Sequence, residues 1–312
     1  MKTLDYKQAG VDYSKIDPLK ILAQKAAAAT APNLARHGLS EVAASRGESA
    51  YVVDCGDFYL ASITECLGTK ALVADSVRAL DGNPAGRTFY DAIAQDTLAM
   101  AINDLITVGA TPVSVHAYWA ASGSDWFDDA ARARDLVEGW KTACDTCGVA
   151  WGGGETPALA GVIAPGRIDL AASCVGVVRP KSRLTLGEKL APGDAIVLFE
   201  SSGIHANGVS LARKISEQLK EGYGTRLDDG SPFGEALLKP TLLYSPLTEA
   251  LAAAGIVPNY AVNVTGHGWR KLMRHPGEFT YRITSLPPVP PVLRFLQAQA
   301  RIDNREAYGN LN

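Results

Sequence analysis

The chain has 312 residues, 47% of them hydrophobic and 20% charged, which fits about two folded domains and excludes an intrinsically disordered protein. A formal charge of −3, with no clustered run of Lys and Arg, gives nucleic acid no electrostatic footing as a partner. No apolar run approaches the ~18 residues that span a bilayer, and the polar start Met-Lys-Thr-Leu-Asp-Tyr-Lys-Gln lacks a secretion signal, so a cytoplasmic protein away from membranes is expected.

In chain order, residues 6–14 are polar and glycine-containing and read as a loop or arm. Asp17-Pro18 then opens a helix through Ala26–Ala29, with Asp17 as cap and Pro18 in the first turn. Residues 51–54 and 58–64 read as two strands joined by Cys55-Gly-Asp57, the second running into Glu65-Cys-Leu-Gly-Thr-Lys70. A central helix over residues 96–110, a strand over 113–119, a long helix from about Asp128 to Cys147 and a strand over 168–178 follow. The alternating strand-helix-strand run of a dinucleotide-binding domain is missing, and an α+β layer structure is predicted. Five cysteines argue against a disulfide framework. The lone pair Cys144 and Cys147, with no second pair or nearby His, reads as two packed residues at the end of a helix closed by Gly148.

The polar, proline-containing Arg179-Pro-Lys-Ser182 is a seam between a first domain, residues 1–178, and a second, residues 179–312. The second is expected to be α/β, with a buried strand over 195–199, helices over 209–222 and 241–254, a strand over 279–283 and a last helix after the proline-rich 286–291. No short repeat is visible.

The chemistry centres on residues 96–110. At about 100° per residue, Asp96 and Asn103 fall almost in register with Asp104 about 80° away, while Leu98, Ala101, Ile102 and Leu105 take the opposite side. The polar face is bordered by Ala99 and Met100, so the two carboxylates read as sheltered, without a Lys or Arg beside them. A hard cation such as Mg²⁺ is then a natural partner. The alternative is an amphipathic helix with two solvated aspartates. Gly68-Thr69-Lys70 places a hydroxyl and an ammonium beside free backbone and suits a phosphate, although it is no Walker loop and also fits an ordinary strand-ending turn. Residues 201–208, Ser-Ser-Gly-Ile-His-Ala-Asn-Gly, gather hydroxyls, an imidazole and free N–H groups between a strand and a helix start; an ordinary loop with a surface His205 is the alternative. Gly152-Gly-Gly-Glu155 frames a carboxylate with glycines or is a flexible turn. No Gly-x-Ser-x-Gly or Ser-His-Asp order supports a hydrolase. Oxygen ligands repeatedly paired with glycine-rich turns suit Mg²⁺ bridging nucleotide phosphates.

Residues 6–12, Gly68-Thr-Lys70, 96–105, Gly152-Gly-Gly-Glu-Thr156, Cys174-Val-Gly-Val-Val178, 201–211 and Val264-Thr-Gly266, taken in this order, resemble the aminoimidazole ribonucleotide synthetase (phosphoribosylformylglycinamidine cyclo-ligase) family over nearly the whole chain. The resemblance implies a homodimer formed through the sheet of the N-terminal α+β domain, and an ATP site in a cleft near that interface. It implies Mg²⁺- and ATP-dependent phosphorylation of the formyl amide oxygen of formylglycinamidine ribonucleotide, followed by attack of the amidine nitrogen and imidazole ring closure. Carried over by position, Gly68, Thr69, Lys70, Asn103, Glu155 and Ser202 would bind the cofactor, and Glu65, Asp96 and Asp104 would hold the metal. Lys70, His205 and Asn207 would take catalytic roles, with Ser202, His205 and Asn207 towards the substrate.

The departures fall in those same motifs. Glu65-Cys66-Leu67 replaces the family's Asp-Gly-Val, Asn263 replaces a His, His267 a glycine, Ala158 an acidic residue and Ala117 an Asp. The family continues into a last strand-helix-strand unit where this sequence stops, so either that tail lies outside this sequence or the C-terminal sheet is incomplete. An ATP-dependent paralogue acting on a different small amide or carboxylate, and a degenerate nucleotide-binding paralogue, are the competing readings.

Overall fold

The structure, a computed structural model, describes residues 13–80 and 87–311; the motif at residues 6–12 lies outside the described residues. The first helix, α1 (Tyr13–Ala28), carries Pro18 in its interior, so it begins before the expected Asp17 cap. Six strands then build one sheet: β1 (Ser40–Glu41), β2 (Tyr51–Asp54), β3 (Tyr59–Cys66), β4 (Thr111–Ala121), β5 (Ala150–Glu155) and β6 (Ile168–Val178), in the order β1-β2-β3-β6-β4-β5. Every neighbouring pair is antiparallel except β4 and β5, which are parallel. A parallel pair needs a long crossover, and α4 (Ala130–Cys147) supplies it.

β6 alternates buried and half-buried residues along its whole length, the mark of a sheet covered on one face only. Leu170, Ala172 and Cys174 of β6, with Val115 and Trp119 of β4, point towards α3 (Tyr90–Leu105) and α4. The other face carries Thr64 bonded to Ser173 across strands (3.0 Å), together with exposed Val113, His116 and Tyr118. α3 is buried at every position but Asp91, Gln95 and Met100, because α4 closes it from one side and β3 and β6 from the other. Trp119, Trp140 and Trp151 pack mutually with ring centroids 5.5 to 5.9 Å apart and fasten α4 to β4 and β5. Cys144, Cys147 and Cys174 are buried free thiols in the same layer; burial raises all three, to about 11, 12 and 12, so they remain protonated and inert.

Beyond the seam, α5 (Val209–Ser216), α6 (Phe233–Leu237), α7 (Ser245–Ala253), α8 (Pro291–Ala300) and α9 (Asn304–Asn310) pack around extended segments, and the hydrophobic core continues without a break from the first half. The two expected strands do not form. Among the described residues no strand follows β6, and Ile196, Val197 and Phe199 are 38, 69 and 54% exposed. An apolar run marks a segment able to enter a sheet, but a strand also needs a neighbouring backbone to satisfy its N–H and C=O groups. The α+β class stands, with its sheet concentrated in the first half. No helix among the described residues is long and apolar enough to cross a membrane.

Gly139 is where α4 meets α3. A Cβ there would lie 2.5 Å from the Asp91 Cα and 2.6 Å from its carbonyl oxygen. Propensity alone makes Gly→Ala inside a helix stabilising by about 1 kcal/mol. Here the sign reverses: Gly139→Ala is expected to destabilise by about 1–3 kcal/mol through overpacking, read as a lower urea midpoint at unchanged slope. A midpoint equal to or above the parent's refutes the close approach.

Candidate active site

Lys70 opens α2 (Lys70–Arg78) two residues after Gly68, whose φ of +74° suits a residue without a side chain. From there its side chain runs into the core, where Nζ stands 2.7 Å from Asp96 Oδ2, both side chains being 0% exposed. Lys70 also donates to the Lys239 carbonyl (3.1 Å). The other Asp96 oxygen, Oδ1, accepts from the Thr241 N–H (2.8 Å) and hydroxyl (2.5 Å). Burial drives the Lys70 pKa down and that of Asp96 up; their mutual attraction and the Thr241 bonds oppose it and favour the charged pair.

This corrects two expectations. Asp96 does have a cationic partner, which a projection of its own helix cannot display because Lys70 comes from another element. The Lys70 ammonium, expected at the phosphates, is instead engaged by Asp96 and a backbone carbonyl and is not presented to a cleft.

Residues 239–244 form a strap along the polar face of α3. Gln95 Nε2 donates to the Thr241 carbonyl and Asn103 Nδ2 to that of Leu242, each at 2.8 Å; Asn103 Oδ1 accepts from the Tyr244 N–H (3.1 Å). Asn103, expected at the cofactor, is thus occupied by the strap. Reading a helix from 241 missed this segment; α7 starts at Ser245, and Pro246 in its first turn was the available signal. The 201–208 loop rests on the strap: Ser202 Oγ donates to the Pro240 carbonyl (2.6 Å), and Tyr244 Oη donates to the Glu200 carbonyl (2.6 Å). His205 lies inside this loop, 6% exposed, at φ +54°, with Nε2 accepting from the Ser202 N–H (3.2 Å). Burial, aided by the Lys70 charge, lowers its pKa to about 4, so the imidazole is a neutral acceptor at pH 7.

The far end of α3 presents a second group. Asp104, 6% exposed, accepts from Asn263 Nδ2 (2.7 Å), so the residue that replaces the family's His contacts this carboxylate directly. Burial raises Asp104; burial together with the Asp104 charge raises Glu65 to about 7. Lys271, lowered by burial and attracted by Asp104, donates to Thr265. His267 adopts φ +72°, a left-handed conformation that a glycine takes without penalty. Asn207 Oδ1 accepts from the Gly266 N–H (3.1 Å) and joins the two loops, while Asn207 Nδ2 and Thr69 Oγ1 are buried without a hydrogen-bond partner among the described residues.

The expected metal trio does not converge. Eight residues separate Asp96 from Asp104, about 12 Å along a helix, and among the described residues no three His, Cys, Asp or Glu side chains are grouped to hold an ion. Glu65 and Asp104 remain as two hard oxygen donors, the Asp104 charge acting on Glu65, and two carboxylates completed by phosphate oxygens suit Mg²⁺. Glu155 stands apart: Cys66, Ala171, Tyr118 and Glu155 form one row across β3, β6, β4 and β5. Three strand spacings put it about 14 Å from β3, on the exposed edge.

Comparison with known proteins matches residues 47–178 to the N-terminal domain of AIR synthase related proteins and residues 191–269 to their C-terminal domain. The chain belongs to the AIR synthase related family. A phosphoribosylformylglycinamidine cyclo-ligase of Methanococcus maripaludis is 31% identical over 309 residues, covering 98% of this chain and 82% of that protein. One from Thermococcus kodakarensis is 36% identical over 299 residues, covering 94% and 81%. Among solved structures, AaThiL complexed with AMPPCP and TMP aligns with a TM-score of 0.51 at 15% identity, covering 85% of this chain and 76% of that one. A protein from Thermus thermophilus aligns at 0.50 and 18%, covering 85% and 75%. At such identities the likeness concerns the fold, and it agrees with the α+β architecture of this AIR synthase related chain.

His205 supplies a pH test. Its folded pKa, about 4, lies below the ordinary 6.5, so the unfolded chain binds the additional proton. This contribution to stability is full above pH 6.5 and is lost as pH falls towards 4. His205→Asn, which tolerates positive φ, is expected to lose less stability than the parent over that window in urea titrations. Parallel losses in the two proteins would refute the buried neutral imidazole.

Proposed function

We infer that this member of the AIR synthase related family is an ATP-dependent cyclo-ligase that closes formylglycinamidine ribonucleotide to aminoimidazole ribonucleotide in purine biosynthesis. The observation that carries the reading is identity of 31–36%, over at least 94% of this chain, to relatives named for that reaction. The γ-phosphoryl group of ATP passes to the formyl amide oxygen and ADP leaves. The amidine nitrogen then attacks the activated carbon, the C–O bond breaks, inorganic phosphate departs with that oxygen, and loss of a proton completes the ring. Nucleophile and electrophile belong to one molecule, so the protein contributes mainly orientation and charge neutralisation.

In this reading Lys70 and Asp96 work from beneath as positioning residues that hold the strap on which the 201–208 loop rests. Ser202, neutral His205 and Asn207 orient the substrate. The unpartnered donors Thr69 Oγ1 and Asn207 Nδ2 suit phosphate and substrate oxygens. Glu65 and Asp104 would hold Mg²⁺, which when bound neutralises charge on the transferring phosphates. We place the enzyme in the cytoplasm, with residues 1–178 as the ATP-binding and dimerisation domain and 179–312 as its partner domain.

The deciding assay mixes the full chain with ATP, Mg²⁺ and formylglycinamidine ribonucleotide and follows ADP and aminoimidazole ribonucleotide together. Equal yields of the two are expected, and ADP formed without the imidazole would mean a different acceptor. In the same assay Asp104→Asn is expected to raise the Mg²⁺ requirement about tenfold or more, the cost of one charged interaction; an unchanged requirement rules Asp104 out as a ligand.

Dimerisation uses the open face of the sheet, where Val113 and Tyr118 are 46 and 36% exposed beside half-buried Leu60, Val175 and Val177. Sedimentation at micromolar concentration should give a dimer mass, and Val113→Lys should shift it to monomer. A monomeric parent contradicts this part of the reading.

A further inference from the structure

At the other end of α2 from Lys70, about 12 Å along the helix axis, Asp75, Arg78, Ala79, Arg132, Gly166 and Arg167 line an open surface cavity of about 360 Å³. Three guanidinium groups and one carboxylate face this space. The Asp75 carboxylate is shared: Oδ2 accepts from Arg167 (3.0 Å), while Oδ1 accepts from Tyr90 Oη (2.9 Å) and lies 3.8 Å from Arg132 Nη1. Asp129, the cap of α4, binds Arg78 at 2.5 Å. Counting Asp129, the group still carries one positive charge in excess.

Arg132 is held in place before any ligand arrives. Its Nη2 donates to the Trp126 carbonyl (2.6 Å), its guanidinium lies 4.0 Å from the Trp126 ring centroid, and its side chain is 14% exposed. Its Nε–H is buried with no acceptor among the described residues. A buried guanidinium N–H without a partner costs free energy, and here it belongs to a residue lining a cavity of net positive charge. A planar fork of fixed donors matches the geometry of a phosphate. A second cavity of about 370 Å³ shares Arg167 and is also lined by Arg213, Glu217, Ser216 and Tyr223, which adds a cation balanced by a carboxylate, a hydroxyl and an aromatic wall.

We propose that this arginine-lined cavity is a phosphate-binding site, separate from the site around α3, that takes inorganic phosphate or the phosphate group of a small ester. Its size suits a phosphorylated sugar at the lower end of the range for ligand pockets, roughly 300–1,000 Å³. Arg132 and Arg167 supply the direct donors, and Asp75 releases part of its hold on Arg167 when the anion enters.

The test titrates the full-length protein with inorganic phosphate and, separately, with ribose 5-phosphate. The readout is Trp126 emission, isolated by subtracting the same titration of Trp126→Phe, because that ring lies beneath Arg132 and reports this cavity. A saturable change at millimolar ligand is expected, with affinity about tenfold or more weaker in Arg167→Gln. Arg167 is 45% exposed at its side chain, and Gln retains part of the stem, so folding should survive; a urea midpoint checks it. Tighter binding of the ester assigns the site to a phosphorylated metabolite, and equal affinities assign it to free phosphate. No saturable change, or one that Arg167→Gln leaves untouched, overturns the proposal and leaves an ion-pair network that only ties α2 to α4.

Discussion

The Lys70–Asp96 pair is the constraint on which the rest of the molecule hangs. Two charges at zero exposure carry a desolvation penalty of several kcal/mol each, and this pair is buried in the core beneath the strap. Thr241 donates twice to Asp96, and the Lys239 carbonyl accepts from Lys70. Both belong to the second half of the chain. The pair therefore does what apolar packing alone cannot: it selects one position for the 239–244 strap against α3, and with it the seat of the loop that carries Ser202 and His205. A hydrophobic pair of similar volume would fill the space without specifying that register.

The rise of α3 sets a division of labour between its aspartates. Asp96, within the helix, is enclosed and fixes the join between the two halves. Asp104, two turns on, meets Glu65, Asn263 and Lys271 where the loops of the second half converge. One helix thus bears the joint and a second buried carboxylate, and it carries amide and carboxylate groups while being buried nearly all round.

Much of this was legible in the sequence, and the limits have physical causes. β6 was readable as a strand over residues 168–178, and α4 as a long helix closed by Gly148, which in the structure takes the left-handed conformation that ends it. The ordered motifs identified the family, since seven glycine-containing or charged segments in one fixed order form a specific combination. Pairings between distant segments were not legible. Lys70 reads as a phosphate ligand in a tripeptide and as a core cation only once Asp96 lies opposite it. The strap reads as helix because its contacts run to Gln95, Asp96 and Asn103, more than a hundred residues upstream. Glu155 was expected at the cofactor, but sequence reports order, not strand position, and the sheet order places it on the edge.

The edge strand β5 has a consequence of its own. Gly152, Gly153 and Gly154 form half of its six residues, and all six are exposed. Glycines offer no side chains to distinguish one face from the other, so the middle of this strand carries almost no code against sliding by a residue along β4. The code sits at one end, where Trp151 locks into Trp119 and Trp140, and in one clash, since any side chain at Gly154 would strike the Ala117 carbonyl. An indole thus acts as the detent for a strand that would otherwise run free, and the loop leaving β5 inherits its alignment from an aromatic contact on the opposite side of the sheet from the solvent-open face.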